Sequence, residues 1–115
     1  MQNFHCMSAL DPEVAHQLAE DLPPDVFRTI ILTFEEDLGR LAQELATAAH
    51  TGDQEAYERA AHSLAGAAAA VGAIGLEREA RIAMDPDQPE PPASLLPRLL
   101  VEARAALQAL RALMQ

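Results

Sequence analysis

Between Phe27 and Ala48 the apolar residues recur at alternating steps of four and three: Phe27, Ile31, Phe34, Leu38, Leu41, Leu45 and Ala48. A helix of 3.6 residues per turn lines such a set along one face, and a strand cannot. The stripe therefore commits more than twenty residues to one long amphipathic helix with a face to bury. Gly52 follows it as a C-cap. Two further stripes repeat the pattern. Tyr57, Ala61, Leu64, Ala68 and Val71 follow Asp53, an N-cap residue, and Leu96, Leu99, Ala103, Leu107, Leu110 and Met114 follow Ser94, with Pro97 in the first turn.

Shorter helices fill the rest. Asp11-Pro12-Glu13 combines an N-cap, a first-turn proline and a first-turn acid, so a helix starts there and fades near Leu22, before Pro23 and Pro24. A helix after Gly72 and Gly75 places Leu76, Ala80 and Ala83 inward, with Glu77, Arg78, Glu79 and Arg81 outward. Glu77 and Arg81 are spaced for an ion pair. The stretch DPDQPEPP, residues 85 to 92, carries four prolines and reads as an extended loop. No strand-like alternation and no internal repeat occurs. The expected fold is all-α: an antiparallel four-helix bundle with the first short helix across one end. Residues 1–10 are expected to be a flexible segment, and 11–115 one domain.

Composition narrows the function. The chain has 115 residues, 50% hydrophobic but only 3% aromatic, which suits a closely packed aliphatic bundle. All eight cationic residues are arginines and the formal net charge is -10, so neither nucleic acid nor an anionic membrane is an expected partner. A single cysteine, Cys6, cannot form an internal disulfide and fits a reducing cytosol. No apolar run has the length of a spanning helix, and no secretory signal pattern opens the chain, so a cytoplasmic, soluble protein is expected. His5, His16, His50 and His62 share no helical turn, so no metal site is expected. The acids at 35–37 read as a solvated helix face.

His62 stands out. On a wheel with Leu64 at zero, Tyr57, Ala61, Ala68 and Val71 lie within about 60° of it, whereas His62 lies at about 160°. The ring therefore points to solvent from mid-helix. Its sector holds Glu55, Glu58 and Arg59 on one side and the small residues Ala65, Gly66, Ala69 and Ala73 on the other. Side chains lean toward a helix's amino terminus, so the ring is overlooked by small residues one turn on. Glycine within a helix costs about 0.5 to 1 kcal/mol relative to alanine. At the solvent-facing Gly66 the simplest reason is that another molecule packs there. An unobstructed imidazole beside such a surface suits a nucleophile whose reaction partner is a folded protein.

The string AHSLAGAAAAVGAIGLEREAR, residues 61 to 81, resembles the histidine phosphotransfer (HPt) domain family of bacterial phosphorelays, whose signature runs approximately A-H-x-L-K-G-x-x-x-x-x-G-A. EEDLGRLAQEL from Glu35 and ATAAHTGD, residues 46 to 53, extend the resemblance upstream, and it covers the chain from about Leu10 onward. The resemblance implies a four-helix bundle in which His62 accepts the phosphoryl group, Leu64 anchors the core and Gly66 lets a response-regulator receiver domain approach. It implies a receiver or hybrid sensor kinase as partner, Mg²⁺ on that partner, and no cofactor or ATP site on this chain. GAAAAVG lacks the Lys-Ser/Thr ending of a phosphate loop.

In one place the chain departs from the pattern. The family places lysine three residues after the histidine, and here Ala65 stands. Arg59, one turn before His62, is the candidate substitute for that charge. Glu58, Arg59, Ala65, Gly66, Ala69 and Ala73 are the expected docking residues around a catalytic His62. Two alternatives accompany the relay reading: an adaptor that binds a receiver or kinase without passing phosphate, and a bundle that dimerises through its alanine-rich face. A monomer is the expectation.

Overall fold

Asp11 accepts a hydrogen bond from the amide of Glu13 at 3.0 Å and so starts the first helix, α1 (Pro12–Asp21), in the computed structural model, which describes residues 9–114. Prolines 23 and 24 separate it from α2 (Pro24–Thr51), 28 residues long, in which all seven residues of the expected stripe are buried. Gly52 closes α2 at φ 74°, a left-handed conformation that glycine adopts without steric cost, and its amide bonds the carbonyl of Ala48. The chain then turns at once into α3 (Gln54–Ala70), where the Asp53 carboxylate accepts from the amide of Ala56 at 3.1 Å. Gly72, at φ 72°, bends the chain into α4 (Ile74–Met84). After the proline-rich loop comes α5 (Pro92–Ala112).

Packing closes these helices into a ring: α2 lies against α3, α3 against α4, α4 against α5, and α5 returns to α2. The core is aliphatic, with Ile31, Leu41, Leu45, Leu76, Leu95 and Leu110 its largest fully buried side chains. α1 packs on α2, and its first turn abuts Gly72 at the α3–α4 corner. The Glu77–Arg81 pair forms as the spacing predicts, at 2.6 Å. Arg98 reaches back to Glu79 and Glu90, each at 3.0 Å, and so ties the 85–91 loop to α4 and α5.

Two expectations need correction. The last helix begins at Pro92, two residues before Ser94, because Pro91 and Pro92 already have φ set for an N-cap and a first turn; Pro97 consequently sits inside the helix. Its buried residues are Leu95, Leu99, Ala106 and Leu110, while Leu96, Ala103 and Leu107 are half-buried and Met114 is 40% exposed. The stripe is present, but its centre lies about 50° round the helix from the expected one, because α5 packs against both α2 and α4. Of the segment 1–10, Ala9 and Leu10 are buried, and residues 1–8, with His5 and Cys6, lie outside the described residues.

Candidate functional site

α3 touches two neighbours, so its buried arc is wide. Tyr57, Ala60, Ala61, Leu64, Ala65 and Ala68 all face α2, α4 or the core between them. His62 lies outside that arc, about 60° beyond its Ala65 edge, and is exposed, with Ser63, Gly66, Ala69 and Ala70 exposed in the turns after it. A Cβ built on Gly66 would meet nothing within 4 Å, so no internal contact requires glycine there. The surface beside the imidazole is flat, small and open.

The charged flank is divided by the helix. Glu58 and Arg59 are both exposed one turn before His62. Glu58 accepts a 2.9 Å hydrogen bond from the side-chain amide of Gln54 and lines a depression with Met84 and Pro89, on the α4 side. Arg59 lines a different depression with Glu44, Thr47 and Thr51, on the α2 side. Among the described residues no side chain hydrogen-bonds the ring of His62 and no carboxylate pairs with Arg59.

Two expected docking residues are not at the surface. Ala65 is only 3% exposed: at about 100° from Leu64 it falls within the arc covered by α4, which a core arc of 60° had excluded. Ala73 is fully buried, because α3 ends at Ala70 and the turn at Gly72 redirects the chain, so the wheel no longer applies there. Ala69, Gly66, Glu58 and Arg59 are exposed as expected. Ser63 and Ala70 share the open sector and were missed; their angles, about 260° and 240° from Leu64, were available in the sequence.

Among the described residues no group of three or more His, Cys, Asp or Glu side chains could hold a metal ion, and no helix is long and apolar enough to cross a membrane. What the arrangement offers is an uncovered imidazole in the middle of a helix, with open space over Gly66. Comparison with curated proteins and with solved structures finds no match. A family model described as the Hpt domain matches residues 25–113, from the first turn of α2 to the end of α5. Three-quarters of the chain follow that pattern, and its all-helical fold agrees with it: the chain belongs to the Hpt domain family, the histidine phosphotransfer domains of phosphorelays.

Proposed function

We infer that His62 is the residue on which the phosphoryl group rides. Its neutral Nε2 attacks the phosphorus of an aspartyl phosphate on a receiver domain; the N–P bond forms, the P–O bond to the aspartate breaks, and the aspartate leaves as a carboxylate. Nδ1 keeps its proton throughout. The reverse step hands the group to another receiver. Phosphoryl transfer demands positioning and charge neutralisation more than covalent assistance, which suits a rigid helix lending one nucleophile. In this reading the divalent ion sits on the receiver, the chain works as a cytoplasmic monomer, and Glu58, Arg59, Ser63, Gly66 and Ala69 meet the partner.

The observation that carries the proposal is the position of His62 outside the buried arc of α3, with open space over Gly66. The test mixes the protein with a panel of receivers bearing labelled aspartyl phosphate. Label is expected on the wild type and not on His62→Gln; equal labelling of the variant would overturn the assignment. Arg59 supplies the positive charge that Ala65 cannot, and Arg59→Ala with an unchanged transfer rate would remove that role. The adaptor reading rests on the same Ala65, a buried methyl where the family has an ammonium. It would be established by a receiver that binds wild type and His62→Gln equally while no receiver labels either.

A further inference from the structure

The seam between α2 and α5 is not closed. A groove of about 280 Å³ opens there, and two of its lining residues, Leu64 on α3 and Leu76 on α4, are only 3% and 1% exposed. It therefore cuts between the near helices to the far side of the core. Leu38, Leu99, Leu100 and Leu107 form its walls, with Leu100 still 47% exposed at the rim. Only Glu35 and Arg104 bring charge to it, and both are exposed, at the mouth.

Water at the aliphatic floor of this groove finds few polar partners, so an apolar guest that displaces it is favoured. A docking helix, about 10 Å across with its side chains, would have to part α2 from α5 to reach Leu76. A single unbranched chain would not. A leucine-lined cavity of about 150 Å³ holds the six carbons of benzene, so the volume here corresponds by proportion to about eleven, enough for a ten-carbon chain. The mouth fixes the head group. Glu35 is engaged by Arg111 at 2.7 Å, whereas among the described residues no carboxylate pairs with Arg104. In a chain of net charge -10, an unopposed guanidinium over an aliphatic slot selects an anion with a hydrocarbon tail.

We propose that the α2–α5 groove binds a free medium-chain fatty acid, its tail along Leu38, Leu64, Leu76 and Leu99 and its carboxylate at Arg104. Gly39 on the α2 wall gives a clean way to block it: a Cβ there meets nothing within 4 Å, and replacing a helical glycine favours the helix. The test is calorimetric titration of the full chain with decanoate, decan-1-ol and decyltrimethylammonium.

One-to-one decanoate binding is expected. The alkylammonium should bind about tenfold more weakly although the overall charge favours it, and the exposed ion pair makes Arg104→Gln about two- to fivefold weaker for decanoate and unchanged for decanol. Gly39→Leu should bind none of them while keeping wild-type circular dichroism and a Tm at or above that of the wild type; if it misfolds, Ala42→Leu plugs the same wall. Absent decanoate binding, or binding that survives both plugs in folded protein, overturns the proposal. So does sedimentation showing a dimer that Gly39→Leu dissolves, which would make a second copy the occupant, or a preference for phosphatidylglycerol vesicles lost in that variant, which would make it a membrane contact.

Discussion

The amide of Asp11 donates a 2.6 Å hydrogen bond to the carbonyl of Gly72, and the position a Cβ would take on Gly72 is 2.8 Å from Cβ of Val14. The start of α1 is thus seated on the turn that ends α3. Gly72 also holds φ 72°, where a side chain is strained. Gly72→Ala is expected to destabilise by about 2 to 3 kcal/mol, from left-handed strain and the clash together, in urea unfolding. A loss of only about 1 kcal/mol, the left-handed strain by itself, would mean that α1 simply lifts away, and that its seat contributes little.

Gly66 is the opposite case. It is helical and its Cβ position is empty, so Gly66→Ala should stabilise by about 0.5 to 1 kcal/mol. Gly66→Leu should fold as well but stand in the way of a docking receiver, and transfer to His62 should fall roughly tenfold to a hundredfold. The pairing of a raised Tm with slower labelling is the signature to seek. A leucine variant that transfers at the wild-type rate would show that the receiver does not approach over this residue.

Tyr57, the only tyrosine, is 5% exposed, and its hydroxyl has no hydrogen-bond partner among the described residues. An unsatisfied buried hydroxyl is a cost, so Tyr57→Phe should be neutral or stabilising by about 1 kcal/mol. Burial, with Glu90 nearby, raises the hydroxyl's pKa above the ordinary 10.0. The sign follows: the unfolded chain loses this proton first, so the stabilising effect is complete below pH 10.0 and is lost as pH rises through the folded value. Urea titrations across that range, followed by far-ultraviolet circular dichroism, should show the alkaline decline in wild type and a shallower one in the phenylalanine variant.

Asp53 sits at the start of the helix that carries His62, accepting from Ala56. Asp53→Ala should cost about 1 kcal/mol of stability through the lost cap, and Asp53→Asn much less. Since His62 lies more than two turns away, the rate of labelling by a given receiver should stay within about twofold in folded protein. A large loss of transfer would place Asp53 at the docking surface instead.

Local chemistry made most of the helices legible. The Asp11 and Asp53 caps, the Gly52 stop and the stripe from Phe27 to Ala48 depend on backbone geometry within a few residues, and each is where the periodicity and capping rules put it. The outward direction of His62 is of the same kind, because angle on a helix depends on spacing alone. The misplaced residues share a different cause. Ala65 is covered because α4 lies beside α3; Ala73 is covered because a glycine turn ends the helix; and α5 buries Leu95 and Ala106 rather than Leu96 and Ala103 because of the two helices it lies between.

By itself, then, the order of residues determined which segments coil, where they stop and which way the imidazole of His62 faces, all of them effects of neighbours close along the chain. How wide each buried face becomes, and which seam stays open between α2 and α5, depended on contacts between segments far apart in sequence. Those are set when helices choose crossing positions by fitting whole surfaces together, and one helix's periodicity carries no information about its neighbour's position.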